Sequence, residues 1–104
     1  MKQHTDYDQT HNLVAWGFPV PLTLDKDGYN AYTIGGLMEL MEGDNYIEVR
    51  RTPTRQSYGV ICYHRPSRKT IRGCKYRELV DALYAMIITL IEEHLIYNDT
   101  QSNI

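Results

Sequence analysis

The residues best suited to chemistry in this chain are its cations. Nine of the eleven lysines and arginines lie between Arg50 and Arg77, and no aspartate or glutamate interrupts that stretch. Tyr58, Tyr63 and Tyr76 are interleaved with them. Because cationic groups bind phosphate and tyrosine rings stack on bases, the pattern is typical of a nucleic-acid or phosphate surface. The candidate contact residues are Arg50, Arg51, Arg55, Arg65, Arg68, Lys69, Arg72, Lys75 and Arg77.

Two other interpretations of this basic segment remain open. The whole chain has 13 acidic and 11 basic residues and a net charge of −2, so no global charge favours nucleic acid or an acidic membrane. Acids elsewhere in the chain balance the segment, which is therefore also consistent with an ordinary solvated strand face. Alternatively, the segment contacts an unlike charged patch on a partner protein or a second copy of the chain.

Residues that could form a catalytic or metal site are few. The sequence contains none of the common hydrolase, zinc-protease, P-loop or dinucleotide motifs. His64 and Cys74 are the only pair that could act together, and only if the sheet brings them within hydrogen-bond reach. The spacing of Cys62 and Cys74 matches neither a zinc site nor a thioredoxin motif. Cys62 lies in the middle of a predicted strand, at a position expected to be a small core residue. We expect no enzyme, no cofactor and no metal.

The main structural element is the apolar run Tyr76–Tyr97, which we predict to be a helix over residues 75–97 that starts at Cys74 or Lys75. Its apolar positions cover an arc wider than the usual stripe of about 100°. Such a helix needs cover on two sides, from its own domain or from a second copy. Its charge-free stretch Ala82–Ile91 is too short for a membrane span, which needs roughly 20 residues.

The second apolar stretch is Leu13–Leu24, where apolar side chains alternate with glycine, proline and threonine. Period-two alternation predicts an extended segment, and Pro19 and Pro21 restrict it to an edge strand or an arm. We expect this arm, residues 13–24, to follow a polar tail, residues 1–12, and to lie on its own domain or on a neighbouring subunit. The candidate interface residues of the arm and the helix are Trp16, Phe18, Tyr84, Ile88, Ile91 and Leu95.

Elements with weaker sequence signals connect the arm to the long helix. Asp25–Asn30 is predicted to be a turn. Residues 33–42 are predicted to be a short helix, with Thr33 as its N-cap. Residues 45–73 form a basic hairpin or meander of two or three strands, and residues 98–104 are a polar tail. The prediction is one α+β domain in two layers, with a short antiparallel sheet on the long C-terminal helix and the order arm-α-β-β-(β)-α.

This order is similar in layout to the double-stranded-RNA-binding module over Thr33–Ile91. Lys75 and Arg77 would open the last helix, where that family places phosphate-binding lysines, and Ala82 and Ala85 match its small residues. The chain departs from the family in its short, glycine-rich first helix, in its longer and more apolar last helix, and in the loop at 53–57, which lacks the Gly-Pro-His signature. The resemblance concerns layout and implies contact with a phosphate backbone.

Together, these patterns favour a small non-enzymatic interaction protein that forms a homodimer. Its size and lack of catalytic motifs are similar to those of many small phage and mobile-element proteins. The alternative is a nucleic-acid-binding protein that uses the Arg50–Arg77 sheet face, and the third class is a small enzyme around His64 and Cys74. We expect a cytoplasmic protein with reduced thiols, no membrane contact, and a protein or nucleic-acid partner.

Overall fold

The computed structural model describes residues 2–52 and 56–96, which form three helices and a three-stranded antiparallel sheet. This confirms the predicted α+β class. The element order is α-α-β-β-β-α. The elements are α1 (Tyr7–Ala15), α2 (Ile34–Leu40), β1 (Asn45–Arg51), β2 (Tyr58–His64), β3 (Lys69–Arg72) and α3 (Leu79–Glu92).

The sheet is a simple meander with β2 in the centre. β1 pairs with β2 so that Ile47 lies opposite Cys62, and β2 pairs with β3 so that Cys62 lies opposite Ile71. Val60 and Cys62 are buried, whereas Tyr63 on the other face of β2 is exposed. Alternate strand residues point to opposite faces, so one face of the sheet packs on the core and the other faces solvent.

Helix α3 is the centre of the core. Leu83, Met86, Ile87 and Leu90 are essentially inaccessible to solvent. The helix contacts β2 on one side and α2 on the other. Its wide apolar arc therefore receives the two-sided cover that the sequence requires, and both sides of that cover come from the same chain.

The predicted start of the long helix at Cys74 or Lys75 is wrong. Tyr76 forms a bridge with Tyr58, and each donates a backbone N–H to the other's carbonyl, so the chain is still extended at this point. The helix begins after Glu78 and ends at Glu92, and His94 has a positive φ of 58°. Pairing with the sheet prevents the first predicted turn from becoming helical.

The polar tail predicted at residues 1–12 is also wrong, because its second half, residues 7–12, lies in α1. Asp6 and Gln9 form a capping box: the Asp6 carboxylate accepts from the Gln9 backbone, and the Gln9 side chain accepts from the Asp6 backbone. On the inner face of this helix, Thr10 and Leu13 are buried. Asp6, Gln9 and Leu13 are the sequence signal of this helix start that the prediction missed.

The extended arm predicted at residues 13–24 is only partly present. Its first three residues belong to α1, and Phe18 enters the core. Beyond Phe18 the alternation does not produce a packed strand, because Leu22 is 94% exposed and its neighbours Val20 and Leu24 are exposed as well. The prolines between them have no N–H for a ladder, and only Leu24 forms an isolated bridge, with Asn30.

The connecting elements agree closely with expectation. Thr33 caps α2 by accepting from the Gly36 backbone N–H at 2.9 Å. In the predicted turn, Asp25 accepts from the backbone of Asp27 and of Tyr29, and Gly28 takes a positive φ of 84°. The predicted tail at 98–104 lies outside the described residues, whereas the predicted helix end at Tyr97 is wrong, because α3 ends at Glu92 and residues 93–96 are not helical.

None of the helices in residues 2–52 and 56–96 has the length and apolar character that a membrane span requires.

Candidate nucleic-acid interface

The solvent face of the sheet presents two tyrosines side by side. Tyr46 in β1 and Tyr63 in β2 are direct partners in the register and are 58% and 38% exposed. Opposite residues of an antiparallel pair project from the same face at about 5 Å, so the rings are neighbours on that face. We name the face that carries them the open face.

Two arginines lie on the same open face. Arg72 is opposite Ile61, which has the same strand parity as Tyr63, and Arg50 has the same parity as Tyr46. Both arginines are exposed. The face therefore combines planar aromatic rings with guanidinium groups.

A surface cleft of about 410 Å³ lies at one end of the open face. Its described lining contains four cationic residues and no acidic residue. The described lining residues are Arg50, Arg51, Thr52, Gly59, Val60, Ile61, Arg72, Gly73 and Lys75. A concavity lined by four cationic residues favours an anionic group there.

Gly59 is a gap in the middle of this arrangement. It lies opposite Arg50 on the open face, and a Cβ built on it would meet no atom within 4 Å. Gly73 differs, because a Cβ there would lie 3.2 Å from the Val60 carbonyl oxygen. The cleft thus exists in part because β2 has no side chain at position 59.

Within the described residues, the arginines of the cleft form no buried ion pair. Arg50 pairs with Glu48 at 3.2 Å, but both side chains are largely exposed. The Arg51 guanidinium lies 5.8 Å from the centre of the Tyr58 ring, a cation–π contact that orients it. An exposed ion pair contributes about 0–1 kcal/mol, so an anionic ligand can replace Glu48 at low cost.

The remaining predicted cations lie elsewhere. Arg65 and Arg68 belong to the β2–β3 turn at the opposite end of the sheet, and Lys69, the first residue of β3, lies beside that turn and pairs with Glu93 at 3.5 Å. Arg77 lies between the Tyr76 bridge and α3, not at the helix start that the resemblance implied. Arg55 lies outside the described residues. The basic segment is thus divided between two ends of the sheet.

Two of the six candidate interface residues are part of the core. Phe18 is 6% exposed and Ile91 is 7% exposed, so the chain itself covers them. The Tyr84 hydroxyl accepts a hydrogen bond at 3.0 Å from Asn12, which ties α3 to α1. Of the others, Ile88 and Leu95 are half-buried and Trp16 is 41% exposed. Their role in self-association stays a prediction.

The predicted pair of His64 and Cys74 is not assembled. His64 lies opposite Lys69 at one end of β2, whereas Cys74 follows Gly73, whose N–H donates to Val60 near the other end. His64 instead lies 2.7 Å from the Ser67 hydroxyl in the exposed turn. Burial raises the pKa of the Cys62 thiol, which lowers its reactivity at neutral pH.

Among the described residues, no group of three or more His, Cys, Asp and Glu side chains is arranged to hold a metal ion.

Sequence reasoning found Tyr63 but missed Tyr46 and Gly59. Tyr46 lies before the basic segment, and only the strand register places it beside Tyr63. Gly59 carries no chemistry of its own, and its importance depends on which side chains surround it. The available signal was the alternation Tyr46, Glu48, Arg50, which places one tyrosine on the arginine face.

No protein-family model matches the chain, and searches of curated proteins and of solved structures also find no match.

Proposed function

We propose that the protein binds single-stranded nucleic acid on the open face of its sheet. The observation that carries this proposal is the shared face of Tyr46, Tyr63, Arg50 and Arg72, which continues into a cleft whose described lining contains four cations and no acid. Stacking platforms combined with a basic groove are the usual means of binding single strands.

The tyrosine pair favours a single strand over a duplex. Bases can stack on exposed rings only when they are free of their own stack, as they are in single strands and loops. The open face therefore matches unpaired bases better than duplex phosphates.

The cleft matches the phosphate backbone of the same strand. Tyr63 and Gly59 lie four residues apart on β2, a separation of about 13 Å at about 3.3 Å per residue. A strand that stacks bases on Tyr46 and Tyr63 would carry a phosphate to the cleft within a few nucleotides. Arg50, Arg72 and Lys75 would then neutralise it.

The first test separates the tyrosine platform from general attraction. Tyr63→Ala should weaken binding of a fluorescent oligonucleotide of about ten nucleotides by about tenfold, because a base–aromatic stack contributes about 1–3 kcal/mol. The control is Tyr29→Ala, because Tyr29 is 62% exposed but lies in the Asp25–Asn30 turn. Fluorescence anisotropy measures both. Equal effects of the two substitutions, or no binding by the wild type at low salt, would refute the proposal.

The second test fills the cleft without changing any charge. Gly59→Val adds a β-branched side chain at a strand position with free space, so the fold should be retained and binding should fall.

Arg72→Glu should weaken binding much more than Arg68→Glu, because Arg68 lies in the distant turn. Equal losses from the two arginine variants would indicate long-range attraction and not a site.

A second candidate function is self-association, as the sequence predicts. Two observations favour it. Val20, Leu22 and Leu24 expose apolar surface, and exposed apolar patches on soluble domains commonly mark interaction sites. In addition, β1 is an edge strand, and edge strands pair readily with other chains.

Light scattering coupled to size exclusion, at low and high salt, tests self-association directly. A dimer at both salt concentrations is the expected result, because apolar contacts and backbone hydrogen bonds are screened little by salt. A monomer at both would reject this candidate and would leave the nucleic-acid proposal unaffected.

A further inference from the structure

We propose that a second copy of the chain adds to the free edge of β1, joining the two sheets into one of six strands. This inference rests on the self-association candidate and names its surface. Within residues 2–52 and 56–96, the backbone of β1 is hydrogen-bonded to β2 alone, so its other edge has unpaired N–H and C=O groups. β1 has seven residues and contains no proline that would block pairing.

The side chains of β1 select one register for this pairing. An antiparallel pair with its two-fold axis at Val49 places Val49 opposite its own copy and Glu48 opposite Arg50 of the second copy, twice. Opposite charges in direct cross-strand positions stabilise a sheet, and like charges destabilise it. An axis at Glu48 or at Arg50 would instead oppose two like charges.

Two features of the isolated chain agree with that register. Val49 has the strand parity of the core-facing Ile47, yet it is 36% exposed. Glu48 and Arg50 pair at 3.2 Å on one strand but both side chains remain largely exposed, so each can exchange its partner for the one in the second copy. Pairing would cover Val49 with its own copy.

The consequence for the binding surface follows from symmetry. A two-fold axis through paired antiparallel residues is perpendicular to the sheet, so both copies present the same face on the same side. The two open faces, each with Tyr46 and Tyr63, would become one continuous platform. A single strand could then span both copies, although the pairing itself requires no nucleic acid.

The test combines cross-linking with a charge swap. In a Cys74→Ser background, Val49→Cys should form a disulfide-linked dimer on mild oxidation, because paired residues have Cα atoms about 4.5–5.5 Å apart. Tyr46→Cys is the matched control, because the register places Tyr46 opposite Thr52. Glu48→Arg and Arg50→Glu alone should each raise the dimer Kd by about tenfold, and the double swap should restore it.

The outcomes separate this inference from self-association in general. A wild-type monomer over the whole accessible concentration range overturns both. A wild-type dimer that Leu22→Asp dissociates, while Val49→Cys fails to cross-link, keeps self-association and overturns the β1 edge. Cross-linking through Tyr46→Cys and not Val49→Cys overturns the register. Circular dichroism of each variant shows whether it is folded.

Discussion

At the scale of single residues, a polar network fastens the N-terminal segment to the domain. The hydroxyls of Thr5 and Thr10 lie 2.6 Å apart in the interior, and Thr5 also accepts from the Tyr32 backbone N–H at 3.0 Å. Nearby, the Lys2 ammonium group donates to Asp81 of α3 at 2.8 Å. The Thr5–Tyr32 and Lys2–Asp81 contacts join residues far apart in sequence, so no local pattern predicts them.

The buried Thr5 hydroxyl gives the first stability prediction. Thr5→Val preserves the shape of the side chain but leaves the Tyr32 N–H without an acceptor. An unpaired buried donor costs about 1–3 kcal/mol, so we expect the free energy of unfolding to fall by that amount. Urea denaturation measures it. Thr5→Ser keeps the hydroxyl and should lose less, and equal losses would mean that the hydrogen bond contributes little.

The Lys2–Asp81 pair makes stability depend on pH. Burial alone would raise the pKa of Asp81, but hydrogen bonds from Lys2 and Gln9 outweigh it and lower that pKa. Burial alone would lower the pKa of Lys2, but hydrogen bonds to Asp81 and Asp6 outweigh it and raise that pKa. The Lys2–Asp81 ion pair therefore contributes its full stabilisation between the pKa values that Asp81 and Lys2 have in the unfolded chain, about 4 and about 10.5.

We expect Asp81→Asn to lose about 1 kcal/mol of stability near neutral pH, as for a partly exposed ion pair. The contribution of Asp81 disappears as the pH falls through its lowered folded pKa, and that of Lys2 disappears as the pH rises through its raised one. The difference in Tm between wild type and variant should therefore vanish in acid. A difference that persists in acid far below the ordinary aspartate pKa of about 4, where the Asp81 carboxyl is protonated in both states, would contradict this assignment.

At the scale of elements, the sheet and the two later helices follow from local sequence, and the N-terminal third does not. Alternation and turn residues placed β1, β2, α2 and the Asp25–Asn30 turn near their observed positions. The same alternation failed over Leu13–Leu24, because a helical face and an extended face both accept Leu13 and Val14. The capping box of Asp6 and Gln9, which the prediction missed, and the long-range buried contacts of Leu13 decide between them.

Helix α1 should therefore contribute substantially to stability. Leu13 is fully buried, so Leu13→Ala should lower the free energy of unfolding by about 2–5 kcal/mol. His11→Ala, on the exposed side of the same helix, is the control and should change it by less than about 0.5 kcal/mol. Chemical denaturation compares them. A small effect of Leu13→Ala would mean that α1 is dispensable for the fold.

At the scale of the whole molecule, charge is unevenly distributed although the net charge is only −2. Arg50, Arg51, Arg72 and Lys75 gather at one end of the sheet, whereas the other end mixes turn cations with the Glu93 carboxylate. The sequence located the basic segment correctly but predicted one surface. The strand register divides the basic segment, because β2 and β3 place its residues at opposite ends of the sheet.

This asymmetry predicts unusual chromatography. At neutral pH and low salt, the protein should bind an anion exchanger through its excess acids and should also bind heparin through the cleft. Arg72→Glu combined with Lys75→Glu should abolish heparin retention and strengthen retention on the anion exchanger. Arg65→Glu combined with Arg68→Glu is the matched control with the same change in net charge. If both pairs reduce heparin retention equally, the cleft has no special role.

At position 59, selection for stability and selection for ligand binding favour different residues. Glycine inside a central strand reduces stability by about 0.5–1 kcal/mol relative to alanine, and the space around it would accept a larger residue. Laboratory evolution for thermal resistance alone should therefore replace Gly59 early, and selection for ligand binding should restore it. The residue at position 59 would then show whether a lineage has been selected for thermal stability or for ligand binding.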